Sequence, residues 1–340
     1  MTGTSVPLCS VCIANYNGES LLADCIDSVL VQDCDFSVEI LVHDDASTDG
    51  SLELLRARYP QVEVITSADN VGFCVANNRM AQRARGEYLL LLNNDAALAP
   101  GALHALYKHA QAQHPHGILT LPQYDWETGE LVDRGCLLDP FYNPVPNLDP
   151  QRSDVAMVIG ACLWIPHSLW HELGGFPEWF ESIAEDMYLC CRARLAGHPV
   201  QVTDASGYRH RQGQSFGGNR PDAGRLYSTY RRRRLSERNK TFVLSVCTPS
   251  PWIWILLPAH LVALCLEGLL LATIKREPRI WAEIYGAAYS ALASARVRLR
   301  AERHRAQQSR HISDRSYGGA FTPIPRKLQL LLSHGIPGLR

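Results

Sequence analysis

Residues 89–95 read Leu-Leu-Leu-Leu-Asn-Asn-Asp, an apolar run typical of a buried strand that ends in oxygen-bearing side chains. Upstream, residues 40–49 repeat this arrangement as Ile-Leu-Val-His-Asp-Asp-Ala-Ser-Thr-Asp. Open α/β sheets bind ligands in the crevice beyond the carboxyl ends of their strands. Two strands that each deliver carboxylates to that edge therefore predict one site for a nucleotide and a divalent cation.

Strands and helices alternate around these two stretches. Apolar runs bounded by turn residues predict strands over residues 8–14, 38–43, 62–66 and 88–92. Helical spacing of apolar residues predicts helices over residues 20–31, 51–58 and 75–85. The alternation predicts a mostly parallel sheet with helices on both faces. Beyond it we expect a helix up to residue 113, irregular strands and loops, a strand over 155–165, a helix over 184–195, and strands over 200–203 and 208–210.

The charge of the chain is unevenly distributed. Its 340 residues, 46% of them hydrophobic, suffice for one large domain or two modest ones. The net charge is −1, yet residues 225–310 carry sixteen Lys or Arg against five Asp or Glu, a local balance of +11. The same region holds the most apolar run and no nucleic-acid-binding motif. This pairing favours an anionic membrane surface over nucleic acid, with a solvated Arg-rich helical face as the alternative.

Residues 252–274 form the longest apolar segment. A bilayer-spanning helix needs about twenty apolar residues, so this segment is just long enough. Pro258, His260 and Glu267 argue against a span, whereas the flanking arginines and the Trp252/Trp254 pair favour a helix lying in the membrane interface. A true span and packing within a soluble helical bundle are the alternatives.

The eleven cysteines are typical of reduced cytosolic thiols with structural roles. Cys9 and Cys12 form a CxxC pair on a predicted strand, where positions three apart face opposite sides, so they do not predict a zinc site. The first residues lack the pattern of a signal peptide. We therefore expect a cytoplasmic protein that is peripheral to the inner face of the cell membrane.

Between residues 7 and 215 the chain contains a series of short motifs: residues 10–18 (SVCIANYNG), 42–50 (VHDDASTDG), 70–73 (NVGF), 77–78 (NN), 92–95 (LNND), 174–176 (GGF) and 185–186 (ED). In their order and spacing these motifs resemble those of the inverting family 2 glycosyltransferases. Within that family, the motifs resemble those of bacterial rhamnosyltransferases of polysaccharide assembly. The resemblance implies a GT-A fold, a Rossmann-like mostly parallel sheet, together with a nucleoside-diphosphate sugar donor and Mg²⁺ or Mn²⁺.

The resemblance also suggests how the chain is divided. Residues 1–220 are expected to form the GT-A domain, with a nucleotide-sugar-binding half over 1–100 and an acceptor half over 101–220. Residues 221–310 are expected to form a basic, apolar helical region associated with the membrane. Gly318-Gly319, Pro323 and Pro325 favour an extended tail over 311–340.

Donor contacts are expected at the ends of the strands. Asp44, at the end of the second strand, is placed to accept hydrogen bonds from a nucleobase or ribose. Asp45 is a further contact with turn formation as its alternative, and Asp49 is expected to cap the following helix. The complete set of expected substrate contacts is Ala14, Tyr16, Asn17, Asp44, Asp45, Asn70, Gly72, Asn77, Asn93, Asn94, Gly160, Trp179 and Glu185.

Asp95 is the expected metal ligand, because Mg²⁺ and Mn²⁺ prefer hard oxygen ligands and bind diphosphates through one or two carboxylates. The resemblance adds His210 as a further ligand, with Ser215 five residues beyond it. The resembling enzymes often carry Asp at the position of Asn93. The neutral amide lowers the negative charge of the site, so metal binding without nucleotide should be weak. A cation that bridges the phosphates stabilises the leaving oxygen without proton transfer.

Asp186 is the expected general base. An inverting transfer needs a carboxylate opposite the leaving group and within hydrogen-bond reach of the acceptor hydroxyl. Asp186 lies at a predicted helix start, where the helix dipole favours the ionised form, although acids are frequent there for stability alone. Trp179 and Phe180 offer an aromatic surface for sugar rings. Tyr188 stands where the family often has Asp, so we expect altered acceptor contacts rather than lost catalysis.

The predicted activity is transfer of a hexose, with rhamnose from a dTDP donor as the expected case, to a glycan or polyprenyl-linked acceptor. UDP and GDP donors, the linkage and a homo-oligomeric state are left open. A non-catalytic donor-binding subunit of a glycan-assembly complex is the first alternative. A nucleotidyltransferase is the second, and it is disfavoured because no glycine-rich phosphate loop follows the first strand.

Overall fold

The computed structural model describes residues 6–211, 218–222, 225–335 and 338–339. Its strands are β1 (Cys9–Asn15), β2 (Val38–Asp44), β3 (Glu63–Thr66), β4 (Tyr88–Leu92), β5 (Ala96–Leu98), β6 (Ile118–Thr120), β7 (Gln123–Asp125), β8 (Leu131–Asp133), β9 (Cys136–Leu138), β10 (Pro144–Pro146), β11 (Cys162–Pro166), β12 (Val200–Val202), β13 (Tyr208–His210), β14 (Gly218–Asp222), β15 (Arg225–Ser228) and β16 (Gly338–Leu339).

Besides the α-helices, the described residues contain two helical segments of other kinds. The α-helices are α1 (Glu19–Leu30), α2 (Ser51–Arg58), α3 (Phe73–Arg83), α4 (Ala102–Ala112), α5 (His167–Leu173), α6 (Glu185–Leu195), α7 (Tyr230–Cys247), α8 (Ile253–Lys275), α9 (Pro278–Ile280), α10 (Gly286–Ser294), α11 (Arg296–Gln308), α12 (Asp314–Gly318) and α13 (Arg326–His334). A 3₁₀ turn occupies Glu178–Phe180, and a π-helical segment occupies Trp281–Tyr285.

The chain divides into two compact units that are not contiguous in sequence. Unit 1 comprises Met1–Cys136, Pro146–Ser182 and His198–Gln212. Unit 2 comprises Leu137–Val145, Ile183–Gly197 and Gly213–Arg340. The expected boundary at residue 220 therefore does not describe the whole division, because two short segments that precede it belong with the C-terminal helices.

Unit 1 is built on a seven-stranded sheet of order β12-β6-β11-β4-β1-β2-β3. β1 is parallel to β2 and β4, β2 to β3, and β6 to β12. β11 is antiparallel to β4 and to β6. The mostly parallel α/β sheet predicted from the sequence is thus confirmed.

The strand expected over residues 155–165 forms only over its last part, as β11. Upstream, the Val155 amide donates to the carbonyl of Val200 at 3.0 Å, and the Met157 amide donates to the carbonyl of Cys136 at 3.0 Å. These bonds engage the apolar residues of the first part with other segments. The apolar side chains correctly predicted that these residues are buried, but not which segments they pair with.

The core of unit 1 follows from the apolar spacing of its elements. On α1, Leu22, Cys25, Ile26 and Val29 are buried at the spacing of one helical face. They join the buried side chains of β1, β2 and β4 in one cluster. Gly86 allows β4 to approach β1, because a Cβ there would lie 2.6 Å from the backbone nitrogen of Ser10. β1 and β4 pair in parallel with Cys12 opposite Leu91, so the carboxyl ends of the two strands lie side by side.

A second, four-stranded sheet in unit 1 has the order β5-β13-β7-β8. β5, which the sequence analysis did not predict, begins directly after Asp95 and pairs antiparallel with β13. His210 is opposite Ala96 in this pairing. The small sheet therefore carries His210 to the end of β4.

Unit 2 packs several helices against α7 around a buried ionic cluster. Glu237, 1% exposed, lies 3.2 Å from Lys240 Nζ and 2.8 Å from Lys327 Nζ. Arg233 contributes a third ion pair to Glu237 at 3.1 Å. Burial alone would raise the pKa of Glu237, but Lys240, Lys327 and Arg233 hold it well below its ordinary value. The charges are paired, as buried charges must be.

The C-terminal segment differs from the sequence-based expectation. Residues 311–340, expected to be extended, contain α12 and α13. On α13, Lys327 joins the ionic cluster of unit 2. Tyr317 on α12 is buried and its hydroxyl lies 3.2 Å from that of Tyr142. These tertiary contacts give the tail the helical structure that its Gly and Pro content obscured.

Candidate functional site

Asn15 links the ends of three strands in unit 1. Its Nδ2 donates to Asp44 Oδ2 at 2.9 Å, and its Oδ1 accepts from Asn94 Nδ2 at 2.8 Å. The Ser47 hydroxyl accepts from the backbone amide of Asn17 at 2.9 Å and lies 3.3 Å from Asn15 Nδ2. The predicted convergence of the β1, β2 and β4 ends is therefore present in the structure. Asn15 was missed by the sequence analysis, although its place at the end of β1 was a usable signal.

Gly18 makes room for this polar junction. A Cβ at Gly18 would lie 2.2 Å from Asn15 Oδ1 and 2.3 Å from Asn94 Nδ2. Its backbone has φ −112°, a conformation that any residue adopts. Glycine is therefore needed here for space rather than for backbone freedom.

The three aspartates of the second motif have different surroundings. Asp44 is 1% exposed, and its Oδ1 accepts from the Ser47 amide at 3.0 Å. Both oxygens of Asp45 accept backbone amides, from Val71 at 2.7 Å and from Gly72 at 2.8 Å. Asp45 thus fixes the loop that precedes α3, which is the turn-forming alternative considered from the sequence.

Asp49 stabilises the start of α2. Its Oδ1 accepts from the Ser51 amide at 3.1 Å, and its Oδ2 accepts from the Glu19 amide at 2.9 Å. The residue at the N-cap itself is Gly50, so Asp49 acts from one position earlier. These bonds tie α1 to α2 beside the strand ends.

Asp95 and His210 come together although 115 residues separate them. His210 Nε2 lies 3.1 Å from Asp95 Oδ1, and both side chains are buried. Gln123 Oε1 lies 3.2 Å from His210 Nδ1 and accepts from the Tyr208 hydroxyl at 2.7 Å. The His210 ring is therefore held from both of its nitrogens. Gln123 and Tyr208 were not singled out from the sequence.

A further acidic group lies within electrostatic reach of His210. Burial raises the pKa of Asp133 to about 7, and the Gly135 amide and His210 oppose this rise. On the other side, Arg211 donates its backbone amide to the Asp95 carbonyl at 2.9 Å and its guanidinium to Asp24 at 2.7 Å. The guanidinium also lies 3.7 Å from the centre of the Trp126 ring. Neighbours on both sides thus order the Asp95–His210 pair.

The donor set of this pair suits a hard divalent cation that is completed by phosphate and water. One carboxylate and one imidazole are available, and Mg²⁺ or Mn²⁺ is commonly bound through few protein ligands plus substrate phosphates. Within residues 6–211, 218–222, 225–335 and 338–339, no group of three or more His, Cys, Asp or Glu side chains is arranged to hold a metal. Ser215, expected near His210, lies outside the described residues.

Some of the other expected donor contacts are exposed to solvent, and others form hydrogen bonds within the protein. Tyr16 is 53% exposed and Asn70 is exposed, so both are free to meet a ligand. Asn77 is buried and donates to the Phe73 carbonyl at 2.9 Å within α3. The Asn93 amide donates to the carbonyl of Ala161 at 3.1 Å, next to Gly160. Ala14, Asn17 and Trp179 are partly or largely exposed.

The second Asn of the NN motif explains why that motif accompanies the GGF motif. Asn78 Nδ2 donates to the Phe176 carbonyl at 2.9 Å, and Asn78 Oδ1 accepts from the Phe176 amide at 3.0 Å. Gly175 has φ 66°, and a Cβ there would lie 2.7 Å from Asn78 Oδ1. The two motifs thus form one structural unit that leads into the 3₁₀ turn bearing Trp179.

Glu185 and Asp186 begin α6 in unit 2. Glu185 is 6% exposed, whereas Asp186 is partly exposed. Burial, and secondly the neighbouring Asp186, raise the pKa of Glu185 to about 8, while Arg232 opposes the rise. Within the described residues, Glu185 Oε2 has no hydrogen-bond partner. The raised pKa favours the neutral form of Glu185 beside Asp186.

The backbone before this pair is held in an unusual conformation. Ile183 and Ala184 have φ values of 71° and 68°, in the left-handed region that L-residues rarely adopt. Asn239 on α7, fully buried, donates its Nδ2 to the Ile183 carbonyl at 2.7 Å. The sequence analysis missed Asn239, because a single Asn in a basic helix 56 residues away carries no local signal.

The mostly parallel sheet and the polar junction at its strand ends define an α/β domain. Residues 10–171 match the family model described as glycosyl transferase family 2. This region, just under half of the chain, is therefore similar to the family 2 glycosyltransferases, which confirms the resemblance that the motifs predicted.

Two relatives illustrate the similarity in sequence. The hyaluronan synthase of Pasteurella multocida is 27% identical over 201 residues, which cover 54% of this chain but only 18% of that protein. The N-acetylglucosaminyl-diphospho-decaprenol L-rhamnosyltransferase of Mycobacterium tuberculosis is 25% identical over 210 residues, which cover 53% of this chain and 68% of that protein.

Among solved structures, GalNAc-T7 with UDP, GalNAc and Mn²⁺ has a TM-score of 0.62 and 15% sequence identity. The match covers 98% of this chain and 59% of that one. The structural match confirms the predicted GT-A fold. At this sequence identity it supports the fold alone.

Proposed function

We propose that this protein is an inverting, metal-dependent glycosyltransferase of cell-surface polysaccharide synthesis. It moves a hexose, with rhamnose as the first candidate, from a nucleoside-diphosphate sugar to a glycan or polyprenyl-linked acceptor. The observation that carries the proposal is the Asp95–His210 contact of 3.1 Å, within a family 2 domain whose strand ends converge on Asn15.

The donor is expected to lie along the ends of β1, β2 and β4. Asp44 retains acceptor capacity beyond its bonds to Asn15 and Ser47, because a carboxylate offers about four lone-pair positions. It is therefore suited to the hydroxyl or N–H groups of a nucleoside. Tyr16 and Asn70, two exposed motif residues, are proposed to add stacking or hydrogen bonds.

Asp95 and His210 are the residues that would hold Mg²⁺ or Mn²⁺. The cation would supply charge stabilisation for the departing nucleoside diphosphate. Gln123 holds the His210 ring through Nδ1, and Nε2 faces Asp95, so a cation held by both side chains would replace their direct contact. The buried Tyr208 hydroxyl in turn orients Gln123.

Asp186 is proposed as the base. The acceptor hydroxyl oxygen forms the new bond to the anomeric carbon as the bond to the phosphate oxygen breaks, and the hydroxyl proton passes to a carboxylate oxygen of Asp186. The raised pKa of Glu185 favours the neutral form of that neighbour, and Asp186, the more exposed of the two carboxyl groups, is the one proposed to accept the proton.

A panel of nucleotide sugars with Mn²⁺ or Mg²⁺ tests the proposal, scored by thermal shift and released nucleoside diphosphate. One donor, with dTDP-rhamnose and UDP-sugars tested first, should bind and be slowly hydrolysed. Asp95→Ala should lose hydrolysis, whereas Asp186→Asn should keep donor binding and lose transfer to an acceptor. Binding without turnover in the presence of membrane extract would instead support the non-catalytic donor-binding subunit, and absence of binding would contradict both.

A further inference from the structure

One face of α8 exposes a continuous apolar surface in unit 2. Its members, which we call the α8 stripe, are 48–63% exposed and lie at helical spacing on one side: Ile255, Val262, Leu266, Leu269, Leu270 and Ile274. Only 22% of the most apolar window of this helix is buried. Exposed patches of this kind mark interaction surfaces rather than ordinary protein exterior.

The opposite face of α8 is anchored in unit 2. His260 Nε2 lies 2.9 Å from the Thr241 hydroxyl, and Glu267 Oε2 lies 2.5 Å from Lys327 Nζ. Gly268 allows close approach to the π-helical segment, because a Cβ there would lie 2.6 Å from the Tyr285 ring. The polar residues that argued against a membrane span therefore face the protein.

This anchoring distinguishes an interfacial helix from a spanning one. A span of α8 would carry Glu267 and its partners Arg233 and Lys327 to membrane depth together with the buried Glu237. Ionised residues at that depth are costly. A helix that lies in the plane of the interface keeps the same ionic cluster on the protein side.

The ends of the α8 stripe carry groups suited to lipid headgroups. Lys275, Arg276 and Arg279 follow the stripe and are exposed. Beside Arg276 is a cavity of about 410 Å³, lined by Leu269, Ala272, Thr273, Arg276, Pro278 and Trp281. At the other end, Trp252 and Trp254 are 50% and 77% exposed. Cations near anionic headgroups and Trp at the interface are both favourable.

A second apolar face adjoins the first. On α13, Leu328, Leu331 and Leu332 are 51%, 46% and 80% exposed at the spacing of one helical side. Lys327 of the same helix reaches Glu267 of α8, so the two helices are neighbours within unit 2. Two exposed apolar faces, rather than one, are available to a common surface.

We propose that α8 and α13 dock unit 2 onto an anionic bilayer, with their leucines at the boundary of headgroups and acyl chains. The choice of occupant follows from charge: residues 225–310 carry a balance of +11, which attracts an anionic surface and repels an identical copy. The docking does not depend on the transfer reaction.

Vesicle flotation of the full chain tests the docking. Phosphatidylcholine vesicles that contain phosphatidylglycerol should retain the protein, and added salt should release it. Pure phosphatidylcholine should bind it far more weakly. Lys275→Gln with Arg279→Gln should lower partition about fivefold per cation, whereas Arg56→Gln with Arg83→Gln, exposed cations of unit 1, should not change it.

Leu266→Gln with Leu270→Gln should abolish flotation without lowering thermal stability, because both side chains are exposed. Leu148→Gln, at a residue of unit 1 that is 57% exposed, is the matched control. Three results would overturn the proposal. The first is a monomeric protein that does not bind vesicles, and the second is a dimer that the Leu266 and Leu270 substitutions convert to monomers. The third is membrane binding that high salt does not release. Donor hydrolysis in solution, measured on the same variants, should stay at the parental rate and keeps this test separate from that of the catalytic proposal.

Discussion

Asn239→Ala should reduce glycosyl transfer more than its effect on stability explains. The substitution removes the donor that lies 2.7 Å from the Ile183 carbonyl in a fully buried position. Loss of such a partner costs about 1–3 kcal/mol. The left-handed conformations of Ile183 and Ala184 cost about 1–3 kcal/mol each and need surrounding structure to persist. The free energy lost with the hydrogen bond is comparable to the free energy of the backbone strain, so the turn is expected to relax to an unstrained conformation.

Relaxation of the turn displaces the start of α6, where Asp186 lies two residues beyond Ala184. A misplacement of about 1 Å at a reacting group can cost on the order of 10²-fold in rate. We therefore expect kcat to fall about 10²-fold, with the KM for the donor unchanged, because the proposed donor contacts belong to unit 1. Steady-state kinetics with a fixed acceptor, together with urea unfolding, measures both quantities.

Two variants make this reasoning refutable. Asn147→Ala removes a buried amide that donates to the carbonyls of Arg134 and Arg152 in unit 1, so it should destabilise to a similar degree and leave kcat unchanged. Ala184→Gly, combined with Asn239→Ala, should restore part of kcat because glycine adopts positive φ without strain. If Asn239→Ala loses stability but keeps the parental kcat, Asn239 has only a structural role.

Three further outcomes are expected. Asp95→Asn should slow Mn²⁺-dependent donor hydrolysis by on the order of 10²–10³-fold, and a parental rate at saturating Mn²⁺ would contradict the ligand role. Burial raises the pKa of Glu185 from 4.5 to about 8, so the free energy of unfolding should decline as pH rises through that interval. Urea unfolding should show a smaller decline for Glu185→Gln, and identical pH profiles for the two proteins would refute this. Gly18→Ala should lower the free energy of unfolding by about 1–3 kcal/mol and weaken donor binding, because the added Cβ would lie 2.2 Å from Asn15 Oδ1. Unchanged thermal unfolding and an unchanged donor titration would show that the junction tolerates the methyl group.

Local patterns in the sequence determined the elements of unit 1 and part of the site. The apolar runs before Asp44 and Asp95 predicted buried strands, and both residues lie at strand ends as expected. The spacing of apolar residues predicted α1 and its buried face. The eleven cysteines are present as thiols, and most are buried. The strands and helices depend on residues within a few positions of one another. The periodicity of their apolar residues indicates which face is buried.

Only the tertiary structure decided the contacts between distant segments. The antiparallel placement of β11, the Asp95–His210 contact and the Asn239–Ile183 bond all join residues far apart in sequence. Such pairings result from the packing of whole elements, which leaves no periodic trace in the chain. The sequence therefore determined which side chains end the strands, and packing determined which of them meet.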